Sequence, residues 1–323
     1  MRCLLAVLLL WTTLFAQAPK PLPADDAVRI GEFYRLAAQI QDKIWPGWSA
    51  TTAPLLLVTK DTEFLTRFPT PPKEFQKVGD DICARPRQFS TDLLATFPAF
   101  GMPPVIVIGE PANTSSGTST PWLIAVMHEH FHQLQWAQPE YLKAIADLGL
   151  SKGDATGMWM LNYPFPYEDP ELARSFEYLR DSLLNALNEV DQQKFEQLTK
   201  RYLQERKRFF AQFLPGDRKY FSFQLWQEGV ARYTQIKAAE AAGDYQPSAA
   251  YAALPDFTPF SNYAVTARSR TLDELKHIDI TQSKREVFYS FGAAEALLLD
   301  RINPAWKTEY FHHLLTTDPL FGK

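Results

Sequence analysis

The 323-residue chain sets 33 lysines and arginines against 37 aspartates and glutamates, a formal charge of −4, and is 46 % hydrophobic and 14 % aromatic. That content can bury a large core, in one domain or two closely packed ones, and excludes a disordered chain. The mild acidity gives no support to nucleic-acid binding, and no nucleic-acid partner is expected. The chain opens on Met1-Arg2, an uncharged run from Cys3 to Ala16 and then Ala16-Gln17-Ala18, the three-part layout of a secretory signal peptide. A membrane span wants about 20 apolar residues, and Pro19, Pro21 and Pro23 stop any helical continuation. Residues 1–18 are therefore expected to be a signal peptide of a secreted or periplasmic protein, with no stable membrane span after cleavage. Pro19 directly after Ala18 hinders a cut there, so an uncleaved anchor is the minor alternative.

Periodicity places the next elements. Ala27, Ile30, Tyr34, Ala37, Ile40 and Ile44 recur at three- and four-residue steps, an amphipathic helix that stops at Trp45-Pro46-Gly47-Trp48. Pro54–Thr59 and Val105–Ile108 are apolar runs of strand length, and Phe89–Phe97 supplies a third strand with weak alternation. Cys83 has no internal partner once Cys3 leaves with the signal, so no disulfide framework is possible. Asp80 and Asp81 disfavour its thiolate, which makes it a buried or inert thiol rather than a nucleophile.

A Gly/Ser/Thr/Pro/Asn loop over 110–119 then leads into Met127-His128-Glu129-His130-Phe131-His132-Gln133, which contains H-E-x-x-H. Thr120 as N-cap and Pro121 at the first helical position open a helix. On that helix His128 and His132 share a face and offer their imidazoles to one Zn²⁺, with Glu129 beside them as a base. The bland alternative is a surface helix with a polar face. His130 points to the other side, as a packing or supporting residue.

After Trp136 the chain reads as helical. Met158–Tyr167, dense in aromatics and prolines, is a core-plugging loop in preference to a cleft lining. Stripes at Leu172, Phe176, Leu179, Leu183 and Leu187, and at Phe195, Leu198, Tyr202, Phe209 and Phe213, predict a helical hairpin over 169–213. Its basic clusters Lys200-Arg201 and Arg206-Lys207-Arg208 are expected on a solvated outer face. Catalytic zinc sites usually take three protein ligands plus water, so a third His, Glu or Asp must lie elsewhere. Glu228, in the helical stretch 225–233, is the candidate; its plain alternative is an i,i+4 pair with Arg232, which is also a candidate to orient it.

His128-Glu129-x-x-His132-Gln133, Gln227-Glu228-Gly229-Val230-Ala231 and Tyr289-Ser290-Phe291-Gly292-Ala293 resemble, in this order, three motifs of the aminopeptidase-N-like gluzincin metallopeptidases. The resemblance is at motif level, between about residues 105 and 302. It implies two histidine ligands with Glu129 as general base, Glu228 as third ligand, and Tyr289 as donor to the oxyanion, with His277 in reserve. It also implies that the strand Val105–Ile108 borders the cleft and pairs with an extended peptide. The departures are residues 133–227 between the second histidine and the glutamate, which makes the helical hairpin an insertion; Phe291 where the family has lysine; and no G-x-M-E-N-like segment.

The expected architecture is α+β, predominantly helical and zincin-like. An N-terminal α/β part, 19–137, carries the zinc helix, and a helical part, 138–323, supplies Glu228 and Tyr289. The expected function is an exported zinc metallopeptidase with one Zn²⁺ per chain and a peptide or protein substrate. The alternative is a zincin-like protein that binds peptide, or holds zinc structurally with His130 as a fourth ligand, without turnover.

Overall fold

The computed structural model describes residues 21–322, so the expected signal peptide lies outside the described residues. Helix α1, Ala24–Ile44, has Asp25 and Asp26 in its first turn and Lys43 in its last, charges that complement the helix dipole. It buries the stripe Ile30, Phe33, Leu36, Ala37, Ile40 and Ile44. Gly47, at φ 81°, then turns the chain toward the sheet, a left-handed conformation that favours glycine.

Six strands follow: β1 Leu55–Val58, β2 Thr62–Thr66, β3 Gln76–Lys77, β4 Ile82–Pro86, β5 Leu94–Phe97 and β6 Val105–Gly109. They form one mixed sheet in the order β3-β4-β2-β1-β6-β5, antiparallel except for the parallel pair β1–β6. Both faces of β1 and β6 are covered, which is why their sequences are unbroken apolar runs. Leu55, Leu57, Ile106 and Ile108 face the main core. Leu56, Val58, Val105 and Val107 face a smaller one with Leu65 and Phe75. The strand expected over 89–97 is ordered as a strand only at Leu94–Phe97, and β2, β3 and β4 add to the strands read from the pattern. Because β6 is paired on both sides, it cannot take up a peptide; among the described residues the edge strand at this end of the sheet is β5.

Helix α2, Ser119–Trp136, is buried on nearly every side, as its apolar character all round requires. It is packed among α1, β5, β6 and the later helices. Thr118, not Thr120, is its N-cap position; the Thr120 hydroxyl instead donates to the carbonyl of Thr258. Pro121 still sits within the first turn, where no intrahelical N–H bond is lost.

The remainder is helical. Helices α3 Tyr141–Asp147 and α4 Trp159–Asn162 are short, and α5 Pro170–Asn188 and α6 Gln192–Ala211 form the expected hairpin, each N-capped by an aspartate, Asp169 and Asp191. The loop ahead of the hairpin plugs the core: Trp159 and Phe165 are buried and Tyr163 stacks on Tyr220. Helix α7, Pro215–Gln224, runs through a π-helical turn, Leu225–Gly229, into α8, Val230–Ala241. Then come α9 Ala249–Ala252, α10 Phe260–His277, α11 Ile280–Ser283, α12 Val287–Ile302 and α13 Trp306–Tyr310. One buried cluster extends from Ile30 to Leu320 through both halves of the chain. No helix among the described residues is long and apolar enough to cross a membrane.

The hairpin departs from expectation at Arg206, which is buried rather than solvated. Its guanidinium bonds Glu295 of α12 at 2.6 Å and Asp318 at 2.7 Å, and the Tyr202 hydroxyl joins it on Glu295. The α6 surface that meets α12 is thus held by charge at Glu295 and by Arg301 of α12 lying over the Phe195 ring.

Candidate metal centre

His128 and His132 lie one turn apart on α2 and turn their Nε2 atoms toward each other, 3.2 Å apart, with the rings edge-on. Both side chains are buried. The Glu228 carboxylate closes the triangle: its Oε2 is 3.4 Å from His132 Nε2 and 3.7 Å from His128 Nε2. The chain therefore brings together, across residues 133–227, the three side chains singled out as metal ligands.

Glu228 reaches this position on the π-helical turn between α7 and α8. One extra residue in a helical turn shifts the direction of every side chain that follows, and such turns recur at functional sites. The turn also crosses α12 at close quarters, where Gly229 meets Gly292.

The Glu129 carboxylate belongs to the same cluster, since the candidate donor atoms of His128, Glu129 and His132 lie within 4.8 Å of one another. It is held off to the side by Thr96 of β5, whose hydroxyl is 2.8 Å from Glu129 Oε2 and 2.9 Å from the Glu129 carbonyl oxygen. Glu228 is thus the carboxylate closer to the imidazole pair, and Glu129 is the one anchored to the sheet edge. Thr96 carried no motif signal; its place on the strand facing α2 is what reveals it.

The Tyr289 ring lies nearly parallel to that of His128, with centroids 6.0 Å apart. Arg285 stands over the Tyr289 ring and places Nη1 3.4 Å from Glu228 Oε1. The Glu228–Arg232 pair, the plain alternative for Glu228, is not formed: Arg232 meets Glu274 at 3.5 Å and also stands over the Tyr289 ring. Arg285, 57 residues away in sequence, takes the role that helical spacing assigned to Arg232.

His130 points away from the cluster, as its position on the helix requires. It stacks on Trp48 and bonds Gln133 and Gln41 at 2.9 and 3.0 Å, so it is a packing residue and not a fourth ligand. His277 lies at the exposed C-terminal end of α10, its Nδ1 2.9 Å from the Asp273 carbonyl of its own helix. It is not brought to the cluster. His312 is likewise exposed beside Glu309.

Burial lowers the His128 imidazole below its ordinary value, and the neighbouring His132 adds to the effect. Burial also acts downward on His132, but the Glu228 carboxylate outweighs it and lifts the ring to about 9. For Glu228 burial acts upward, yet His132, His128 and Arg285 together hold the carboxyl well below the usual range. The Tyr289 phenol is pushed well above its ordinary value, by burial first and by the Glu228 charge second, with Arg285 opposing. It therefore stays protonated and able to donate a hydrogen bond.

The donor set fits a tetrahedral divalent ion. Zinc bonds to imidazole nitrogen and carboxylate oxygen are roughly 2.0–2.2 Å long, which puts adjacent ligand atoms about 3.3–3.5 Å apart in a tetrahedron. The three separations here, 3.2, 3.4 and 3.7 Å, need only small side-chain adjustment. Two imidazole nitrogens and one carboxylate are also the ligand types that suit zinc. No family model, curated protein or solved structure matches the chain.

Proposed function

We propose that this chain is an exported, zinc-dependent metallopeptidase of gluzincin type with a zincin-like arrangement of sheet and active-site helix. What carries the reading is the meeting of His128, His132 and Glu228 within 3.7 Å, with the Glu129 carboxylate in the same cluster but tied to Thr96. Structural zinc sites are usually closed by four protein ligands, whereas catalytic ones keep a position open. With His130 bonded to Gln41 and Gln133, the described residues offer three candidate ligands and a separate carboxylate held by Thr96, which favours the catalytic reading.

His128, His132 and Glu228 would hold Zn²⁺, which supplies Lewis-acid polarisation of a carbonyl and lowers the pKa of water toward about 7. Glu129 acts as general base: it accepts the proton lost by the attacking water and later passes it to the departing amine. Thr96, by bonding one carboxylate oxygen, restrains the orientation of that base. The Tyr289 phenol donates to the oxygen on which negative charge develops. An extended peptide pairs along β5, the edge strand among the described residues, whose Thr96 already touches the base.

The Glu129→Gln variant tests this reading. It should bind one equivalent of zinc and fail to cleave a mixed peptide library that the wild-type chain cleaves. Hydrolysis by the variant at the wild-type rate would reject the mechanism.

A further inference from the structure

We propose that Gln135 is a positioning residue that sets the tautomer of His132 and locks it to the turn carrying Glu228; the proposal rests on the zinc reading above. Gln135 lies three residues after His132 on α2 and is fully buried. Its Oε1 is 2.7 Å from His132 Nδ1. Its Nε2 donates to the carbonyls of Trp226 and Gln227, each at 3.1 Å, and lies 2.8 Å from the Tyr310 hydroxyl. That hydroxyl spends its own hydrogen on the Trp226 carbonyl at 2.6 Å, so toward Gln135 it can only accept.

These partners fix which end of the Gln135 amide faces the histidine. Three acceptors surround one end, so that end must be the NH₂ and the other must be the carbonyl oxygen. A carbonyl oxygen 2.7 Å from a ring nitrogen requires that nitrogen to carry the hydrogen. His132 is then Nδ1-protonated in its neutral form, and the lone pair sits on Nε2, the atom that faces Glu228 and His128. The Gln227 amide nitrogen also approaches His132 Nδ1, at 3.1 Å, and cannot donate to a protonated nitrogen. It is free to turn over, because its partner on the other end, the Tyr141 hydroxyl, can donate or accept. The longer and reversible contact gives way to the shorter, fixed one.

The same amide joins two elements. Trp226 and Gln227 immediately precede Glu228 on the π-helical turn. One side chain therefore orients a ligand of α2 and holds the backbone that presents the ligand from α7–α8. Partners of this kind typically alter metal affinity 10- to 100-fold when removed.

The test compares Zn²⁺ affinity, measured by competition with a chelating dye, for the wild-type chain and for Gln135→Leu, Gln135→Glu and Tyr310→Phe, with urea unfolding of each metal-free protein alongside. Gln135→Leu should lose affinity by about 10- to 100-fold. Gln135→Glu keeps an acceptor for His132 Nδ1–H and should bind zinc close to wild type, although less stable because its carboxylate now faces two carbonyls. Tyr310→Phe breaks the same network away from the histidine and should lose stability but not affinity. Wild-type affinity in Gln135→Leu overturns the proposal while leaving the zinc reading intact, as does an equal loss in Gln135→Leu and Tyr310→Phe, which would mark Gln135 as merely structural. If the wild-type chain itself binds no zinc, the zinc reading and this proposal fall together; if Gln135→Glu does not fold, the Leu and Phe variants decide.

Discussion

Gly229 and Gly292 face each other so closely that a Cβ built on either would stand 2.5 Å from the Cα of the other. Gly229 follows Glu228, the proposed third ligand, and Gly292 lies one turn beyond Tyr289, so the contact sets how near these two residues on separate helices come. In an open helix, exchanging glycine for alanine favours folding by about 1 kcal/mol. Here the added methyl meets backbone that cannot move alone, and overpacking of a tight interior costs about 1–3 kcal/mol or more. The overlap should win. Gly292→Ala is expected to lower the urea midpoint and also to weaken zinc binding, since separating the helices draws Glu228 away from the imidazoles; an unchanged or raised midpoint would contradict the close crossing.

A ligand that binds only the folded chain raises its stability by mass action. His128, His132 and Glu228 come from distant parts of the chain, and the unfolded chain offers no such trio. Zinc at 100 times its dissociation constant should add about 2.7 kcal/mol, seen as a rise in the thermal midpoint that a chelator reverses. Glu228→Ala should retain much less of that rise, because two imidazoles alone remain. A zinc-induced rise of full size in the variant would remove Glu228 from the ligand set.

The Arg206-Lys207-Arg208 run shows where sequence patterning stops being informative. Three adjacent basic residues on an amphipathic helix read as a solvated face, and Arg208 is indeed exposed beside Glu205. Arg206 instead turns inward onto Glu295 and Asp318, partners 89 and 112 residues away. Nothing local announces them. Removing one member of a buried pair strands its partner at a cost of about 3–5 kcal/mol, whereas exposed neighbours change stability by about 0.5 kcal/mol or less. Arg206→Ala should therefore unfold at much lower urea than Arg208→Ala; equal midpoints would return Arg206 to the surface.

Similar hidden pairing explains two of the strands that periodicity missed, β2 and β4. Glu63 of β2 lies opposite Arg85 of β4 and bonds it at 2.7 Å, both side chains buried. A charge in the middle of each segment makes it read as loop, although each charge is neutralised across the sheet. Helices α1, α2, α5 and α6, the strands β1 and β6 and the pair His128/His132 were legible because each depends on a pattern within one element; α10 and α12 were read only as part of a generally helical second half. Glu228 was legible through its motif, but Arg285, Thr96 and Gln135 act across elements. Of these, Gln135 alone had a local sign, its i,i+3 spacing from His132.

Thr96 supplies the next prediction. Its hydroxyl bonds the Glu129 carboxylate from the edge strand, and hydrogen bonds to charged groups contribute about 1.5–3 kcal/mol. Thr96→Val keeps the shape and removes that restraint, leaving Glu129 free to rotate away from the orientation the proposed base requires. Zinc binding should be unaffected and kcat should fall by about tenfold, the equivalent of 1.4 kcal/mol. If kcat holds and KM alone rises, Thr96 would serve the peptide-binding edge and not the base.

Tyr289 and His277 can be separated by kinetics. Burial keeps the Tyr289 phenol protonated, and its ring lies alongside His128, so it can donate to an oxygen in the cluster. His277 is exposed and turned back on its own helix, with no route to the same oxygen. Removing one donor to a developing oxyanion typically costs 10²–10³ in kcat, because the bond strengthens as charge builds and matters little in the ground state. Tyr289→Phe should therefore lower kcat by roughly that factor with KM and zinc affinity near wild type. His277→Ala should leave all three unchanged. A loss confined to KM in Tyr289→Phe would make the ring a wall of the substrate site, packed between His128 and Arg285, and a fall in kcat on losing His277 would require α10 to reach the cluster in a conformation other than the one described.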